Sequence, residues 1–266
     1  MNRIKTICTV GPTSLNREVL KKWKIRGVDL VRINISHTKE EEIENVILYL
    51  KENGANTCID TEGSQVRTGY LGKEHVLLNE NDIVKLHAKE IVCDEYNLYI
   101  RPLEVLSQLS NGDVVSIDFN AAMIKVDDVS CLNERNYIVC RVIIGGIVGN
   151  NKGVKLINKR IKLPSFSEKD KVAISLGKKH CVQYFTLSFV DTKDDVVEFK
   201  RMYPDCTIYS KIENRLGVEN VDEILNESDG ILIDRGDLSR EIAIEKIPLV
   251  QKIIIRKANQ SGKDVF

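Results

Sequence analysis

At both ends of this chain, strand-length apolar runs alternate with segments of helical periodicity. A middle stretch of about 100 residues breaks that rhythm with short alternating strands. The alternation calls for a parallel sheet with helices outside it, because each βα unit returns the chain to start another strand in the same direction. Residues 4–10 form a short apolar strand that stops at Gly11-Pro12. Residues 16–26 carry helical spacing, ended by Gly27. The spacing then predicts a strand over 28–35, a helix over 39–51 with Ile43, Val46, Ile47 and Leu50 on one face, and a strand over 56–61. After Pro164 the rhythm resumes. Ser167-Glu168-Lys169-Asp170 opens a capped helix that runs to about Lys179. A strand follows over 181–189, a helix over 194–202, a strand over 206–212, a short helix over 218–225 and a strand over 230–234. Residues 247–260 form a helix with an apolar stripe, and 264–266 begin a further strand.

Between these halves, expected strands fall at 76–78, 83–86, 90–93, 114–117, 123–126 and 137–144, with turn signals at Asn111-Gly112-Asp113 and Gly145-Gly146. The expected organisation is therefore 1–63 as the first part of an α/β domain, 64–163 as an inserted all-β domain, and 164–266 as the α/β continuation. Six βα units and the first residues of a seventh strand can be counted, whereas a whole eight-fold barrel takes about 250 residues without an insert. An open doubly wound sheet fits the rhythm too, and periodicity alone does not choose.

Charge removes one class of function. The 39 basic and 39 acidic residues give a formal net charge of zero, so no basic nucleic-acid footprint exists at whole-chain level. No run approaches the roughly 18 apolar residues of a membrane helix, and the start lacks a signal-peptide core. Seven cysteines occur without a CxxC pair. Cys8, Cys58, Cys181 and Cys206, in or beside apolar runs, read as buried reduced thiols, which places the protein in a reducing cytoplasm. The glycine-rich run 145–153 reads as a hairpin turn. His75, His87 and His180 read as surface residues without a paired motif.

Four polar clusters fall at the carboxyl ends of successive strands, the edge where sites form in parallel α/β sheets. They are residues 32–37, Asp60-Thr61-Glu62-Gly63, Lys211-Ile212-Glu213-Asn214 and Asp234-Arg235-Gly236-Asp237. Their chemistry suits phosphoryl transfer. Glu213 and Asp237 offer the hard oxygens Mg²⁺ prefers. Arg32 and Arg67 can hold phosphate bidentately, and Lys211 can neutralise a moving phosphoryl group. Asn34, Ser36, Asp60 and Thr61 offer oxygens suited to a weak monovalent cation, with local turn bonding as the alternative. A GxxxxGK[ST] loop and the protein-kinase motifs are missing.

These segments resemble the pyruvate kinase family. Lys5-Thr-Ile-Cys-Thr-Val-Gly-Pro12 is similar to its opening strand, Arg32-Ile-Asn-Ile-Ser-His37 to its second-strand motif, and Asp60-Thr-Glu-Gly-Ser-Gln-Val-Arg-Thr-Gly69 to its DTKGPEIRTG segment. Asn151-Lys-Gly-Val154, Leu163-Pro164 and Ser167-Glu-Lys-Asp170 resemble the exit from its mobile B domain. Ser210-Lys-Ile-Glu-Asn214, Ser228-Asp-Gly230 and Arg235-Gly-Asp-Leu238 resemble its catalytic strands.

The resemblance implies a TIM-type (β/α) barrel, incomplete, with an inserted β-barrel-like lid. It also implies phosphoryl transfer between phosphoenolpyruvate and ADP, giving pyruvate and ATP, with Mg²⁺ and K⁺. By the same resemblance Arg32 and Lys211 would be catalytic, and Arg32, Lys211, Gly236 and Asp237 would bind substrate. Arg67, Lys152, Asn34 and His37 would face the nucleotide. Glu213 and Asp237 would hold Mg²⁺, and Asn34, Ser36, Asp60 and Thr61 would hold K⁺. Expected partners are small-molecule substrates, with no nucleic acid or membrane; a homo-oligomer or a partner completing the barrel stays open.

Departures from the family pattern are expected to matter. Glu62 stands where the family has lysine, Ser64 and Gln65 replace Pro-Glu, and Asp191 stands where arginine is usual. Asp234 replaces a small residue, and Asp118-Phe119-Asn120 replaces Asp-Asp-Gly. The added negative charge, and the stop at Phe266 where a threonine-bearing strand would begin, lead to the expectation that the 266-residue chain alone is a poor catalyst. Alternatives are a non-catalytic or regulatory relative that binds Mg²⁺ or a ligand, and an enzyme for a related enol-phosphate or carboxylate substrate.

Overall fold

The computed structural model describes residues 4–118, 120–157, 159, 161–239 and 241–266. Two compact units divide the chain: residues 1–64 with 164–266, and residues 65–163. The divisions fall between Ser64 and Gln65 and between Leu163 and Pro164.

The first unit is built on parallel strands β1 (Ile7–Thr9), β2 (Leu30–Asn34), β3 (Thr57–Asp60), β4 (Tyr184–Leu187), β5 (Thr207–Ile212), β6 (Gly230–Ile233) and β7 (Asp264–Val265), labels here being confined to this unit. Their order in the sheet follows their order in the chain, β1 through β7, and every pairing is parallel. A doubly wound sheet reverses its strand order part-way, and this one never does, so the sequential order decides for the barrel type. All of β3 and nearly all of β5 are buried, as a sheet covered on both faces requires. Leu30, Cys58 and Tyr209 form a small core of their own, with Ile7, Tyr184 and Phe266 packed against it. Side chains from the first to the last strand therefore meet on one face, which means the sheet curls. Lys5, just before β1, forms an ion pair with Asp264 of β7.

Helices α1 (Arg17–Ile25), α2 (Ile43–Glu52), α3 (Glu168–Lys179), α4 (Lys193–Met202), α5 (Arg215–Glu219), α6 (Val221–Glu227), α7 (Arg235–Leu238) and α8 (Ile247–Gln260) complete this unit. A larger core joins their apolar faces to the other sheet face, including Leu20, Ile47, Ile174, Phe199, Ile224 and Ile254. Asn16 caps α1 by accepting from Val19 N–H at 3.0 Å. Ser167 and Asp170 close the expected capping box at α3. The helix expected over 218–225 is two short helices, α5 and α6, divided at Asn220, which donates its side-chain amide to the Asp191 carbonyl at 2.9 Å.

In the second unit, strands Val114–Ile117, Ala122–Asp128, Tyr137–Ile144 and Ile83–His87 form an antiparallel ladder around a separate core that includes Val84, Ile117, Ile124 and Val142. Two expectations are corrected here. Residues 90–93 are not a strand; only Cys93 forms an isolated bridge, to Leu71. The glycine-rich run is not a hairpin turn, since Gly146–Gly149 is itself a strand paired with His75–Leu78. The chain changes sheets at Gly145, and a Cβ on Gly146 would sit 1.8 Å from the Ala121 carbonyl oxygen, so glycine is needed for close approach rather than for a reversal.

All seven cysteines are free thiols, but Cys181 is exposed, against the expectation of burial. His87 and His180 are partnered, not bare surface residues. His87 shares a 3.0 Å hydrogen bond with Asn97, and His180 one of 2.7 Å with Glu44. No helix among the described residues is long and apolar enough to cross a membrane. Residues 1–3, part of the expected lead into β1, lie outside the described residues.

Candidate active site

Parallel register carries the polar residues to one edge of the first unit. Asn34 pairs with Asp60, and Asp60 with Thr186, across β2, β3 and β4. Lys211 and Glu213 come from the end of β5, and Asp234 and Asp237 from the turn into α7.

Lys211 is the hub. Its side chain is 8% exposed. Nζ lies 2.8 Å from Glu213 Oε1, 3.7 Å from Asp60 Oδ1 and 3.9 Å from Asp234 Oδ2. It also donates to Ser188 Oγ at 3.0 Å. Burial by itself would lower its pKa, but the Glu213, Asp60 and Asp234 carboxylates outweigh burial and hold it above the ordinary lysine value. A permanent, nearly immobile positive charge results. Ser188 is fixed in turn, donating to the Thr61 carbonyl at 2.6 Å while its N–H donates to Thr61 Oγ1 at 2.9 Å. Arg32 stands on the other side of Asp60, with Nη1 3.5 Å from Asp60 Oδ2 and Nε donating to Thr9 Oγ1 at 2.8 Å.

Glu213, Asp234 and Asp237 each bring a carboxylate oxygen within 4.8 Å of the other two. Glu213 is 1% exposed, and its Oε2 accepts the Phe189 N–H at 2.6 Å. Its Oε1 is fully buried and lies 2.8 Å from the Lys211 ammonium. Burial raises the Glu213 carboxyl to about 7, against the pull of Lys211 and the Phe189 N–H. Carboxylate oxygens gathered this closely are a donor set of the kind a hard divalent cation takes, so these residues fit Mg²⁺.

The oxygens expected to hold K⁺ are differently occupied. Asn34 Oδ1 accepts the Ser36 N–H at 3.0 Å, and Ser36 itself is exposed. Asp60 accepts the Thr186 hydroxyl at 2.5 Å and faces two cations. Thr61 Oγ1 accepts from Ser188 and donates to the Thr186 carbonyl at 3.4 Å. Turn and inter-strand bonding accounts for this group, and the set does not fit K⁺ as the carboxylates fit Mg²⁺. His37 is exposed in the turn after β2 and makes none of the contacts that hold Lys211.

The two charge reversals found in the sequence have partners within the fold. Glu62 lies 3.7 Å from Lys169, and Asp191 accepts the Asn214 amide at 2.6 Å. Gly236 N–H, expected to face a substrate carboxylate, donates to Asp234 Oδ1 at 3.1 Å.

In the second unit Arg67 and Lys152 come together around one turn. Arg67 donates to the Asn151 carbonyl at 3.2 Å, and Lys152 pairs with Asp118 at 3.2 Å. Arg101, which sequence reasoning missed, sits directly opposite Arg67 across antiparallel strands and donates to Asn151 Oδ1 at 3.0 Å. No local motif marks Arg101; only strand register brings it there. Of the departure at 118–120, Phe119 lies outside the described residues.

A singly wound parallel sheet, with its lysine, arginine and carboxylates gathered at the carboxyl ends of the strands, defines the (β/α)-barrel class. Within that class the chain belongs to the pyruvate kinase family, whose barrel-domain model, described as "Pyruvate kinase, barrel domain", matches residues 1–266. It is similar to the pyruvate kinase of Thermotoga maritima, with 32% identity over 276 residues, covering 100% of this chain and 58% of that protein. The pyruvate kinases of Clostridium perfringens (34% over 278 residues, 100% and 58%) and Geobacillus stearothermophilus (31% over 275 residues, 99% and 46%) are also similar. The chain thus spans about 58% of the length of the first of these relatives.

Proposed function

We propose that this chain carries the phosphoryl-transfer centre of a pyruvate-kinase-type phosphotransferase, moving the phosphoryl group between phosphoenolpyruvate and ADP. The observation that carries the reading is the buried Lys211, fixed by Ser188 and Glu213 beside three clustered carboxylates. Phosphoryl transfer needs little covalent help from a protein; it needs charge held in place where charge moves. Lys211 provides that without reorganisation, since Ser188, Glu213 and Asp60 already fix its ammonium. Arg32, anchored through Nε on Thr9, can orient phosphoryl oxygens with its remaining N–H groups.

Glu213 and Asp237 would hold Mg²⁺, which when bound supplies positive charge to phosphate and carboxylate oxygens. K⁺ finds no comparable donor set and is not part of this reading. On the second unit Arg67, Lys152 and Arg101 form a cationic group suited to nucleotide phosphates. A soluble cytoplasmic setting fits these substrates.

Phosphorus NMR of phosphoenolpyruvate and ADP with the purified chain tests the proposal. Slow, Mg²⁺-dependent transfer is expected, lowered about 10²- to 10³-fold by Lys211→Met. A folded, Mg²⁺-binding chain without transfer above the uncatalysed rate would rule out catalysis by it. The Asp234 bond to Gly236 N–H favours a second reading for that outcome, a relative that binds the cation without turnover.

A further inference from the structure

We propose that Thr186 is a positioning residue whose hydroxyl takes the place of a monovalent cation at Asp60, so that this edge of the sheet is set by the protein alone. The inference concerns β2, β3 and β4, and it is independent of whether the chain transfers phosphoryl groups.

Parallel register puts Thr186 of β4 directly opposite Asp60 of β3. Both are buried, at 0% and 2% exposure. The Thr186 hydroxyl donates to Asp60 Oδ1 at 2.5 Å, the short end of the range for a hydroxyl on a carboxylate. Threonine is β-branched and has few χ1 positions open to it. Its backbone is tied as well, since the Thr186 carbonyl accepts the Thr61 N–H at 3.0 Å. Strand pairing therefore holds the donor in place before any ligand arrives.

The surroundings of Asp60 give a further cation little to gain. Arg32 Nη1 is 3.5 Å from Oδ2, and Lys211 Nζ is 3.7 Å from Oδ1, so K⁺ would add a third positive charge beside one carboxylate. The neighbouring oxygens are engaged: Ser188 donates its hydroxyl to the Thr61 carbonyl and its N–H to Thr61 Oγ1, and Ser36 N–H is on Asn34 Oδ1. Two residues back on the same strand face is the buried Cys58, whose sulfur is no ligand for a hard cation. The hydroxyl is nonetheless the decisive member. Lys211 sits closer to Glu213, at 2.8 Å, than to Asp60, so the close contact on Oδ1 is Thr186. Without that hydroxyl, Oδ1 would be a buried carboxylate oxygen with space beside it, the condition in which a monovalent cation is taken up. Arg32 and Lys211 both lean on Asp60, so with the hydroxyl present they keep their positions in any monovalent salt.

The test uses the thallous ion, Tl⁺, which has the charge and nearly the radius of K⁺. Thallium NMR follows its titration into the chain, Thr186→Ser, Thr186→Ala, and Thr186→Ala combined with Asp60→Asn, each shown to be folded by circular dichroism. The chain and Thr186→Ser, which keeps the hydroxyl, are expected to show no saturable binding that K⁺ displaces. Thr186→Ala is expected to gain such binding, with an affinity about tenfold or more above the limit set by the chain, the scale of one hydrogen bond to a charged group. Adding Asp60→Asn is expected to remove the gain. Saturable, K⁺-displaceable Tl⁺ binding to the unaltered chain overturns the proposal, whichever variants fold. A folded Thr186→Ala that binds no better than the chain overturns it too, because exclusion would then owe nothing to the hydroxyl. So does a gain that survives Asp60→Asn, which would place the new binding elsewhere.

Discussion

Glu213 shows how burial sets the charge of a proposed metal ligand. Its carboxyl is raised by burial to about 7, from an ordinary value of 4.5. In the metal-free chain the sign is that of a raised acid. Its contribution to stability is present below about 4.5 and is lost as pH climbs through about 7. Cation binding takes the ionised form, so affinity runs the other way and rises with pH until about 7. Calorimetry at pH 6 and pH 8 should show Mg²⁺ bound about tenfold more weakly per unit below 7; equal affinities would mean that Glu213 is not a ligand. Asp237→Ala should remove most Mg²⁺ binding at either pH, and unchanged affinity would refute its assignment. The types and order of these residues were legible in the sequence, because oxygen ligands and a lysine recurred at strand ends. The part played by Asp234 was not. Beside Arg235-Gly236-Asp237 it looked like added repulsion, and only its folding back onto two N–H groups places its second oxygen toward Lys211. The counter-charge of Glu62, Lys169, was equally hidden, being distant in sequence and arriving on α3.

At the scale of elements, α3 does more than cover the sheet. Asp170, fully buried, closes the helix cap and also accepts from the N–H groups of Glu62 and Gly63 at 2.7 and 3.0 Å. A carboxylate on a helix thus fixes the loop that follows β3 and, through it, the position of Asp60 and Thr61. Asp170→Ala should cost about 2–4 kcal/mol, one lost cap plus buried donors left unmet. A thermal melt within experimental error of the parent would contradict this. Two turns further on, Gly177 lets the helix approach closely. A Cβ there would meet Phe185 Cζ at 2.6 Å and Ile59 Cδ1 at 2.9 Å, both fully buried side chains. Helix propensity favours alanine by about 1 kcal/mol, but overpacking costs about 1–3 kcal/mol. Gly177→Ala is therefore expected to lower the melting temperature, and a rise would show that the sheet yields. Elements with strong periodicity, such as α8 and Tyr137–Ile144, could be read from the sequence to the residue. Short strands such as Asn97–Leu98 and Arg67–Thr68 could not, because two residues carry no periodicity and exist only through their partners.

For the whole molecule, the division into two cores has a thermodynamic consequence. The insert's core includes Val84, Ile124, Cys140 and Val148 and shares no residue with the core of the α/β unit. Residues 65–163 expressed alone should fold cooperatively, with dispersed amide NMR signals; a collapsed, undispersed spectrum would mean that this core depends on the other unit. The change of rhythm in the sequence revealed this boundary because a barrel half and a small β-domain use different periods. The choice between barrel and doubly wound sheet stayed hidden, since strand order is a property of pairing and leaves no local mark.

The insertion between β3 and β4 also bears on how the candidate site comes into being in time. The Thr186–Asp60 hydrogen bond joins residues 126 positions apart, so the edge of β3 emerges from the ribosome long before its neighbour. At about 5–20 residues per second, that edge waits on the order of 10 s for β4. The insert shortens the search meanwhile, because Val154 N–H donates to the Val66 carbonyl and Thr68 N–H to the Lys152 carbonyl, tying its outgoing and returning chains together. Once it has folded, a detour of more than 100 residues contracts to a tether of a few dozen, and closure entropy falls with the logarithm of that length. Nascent-chain assembly of the carboxyl edge of the parallel sheet is thus gated by a domain that contributes no strand to it.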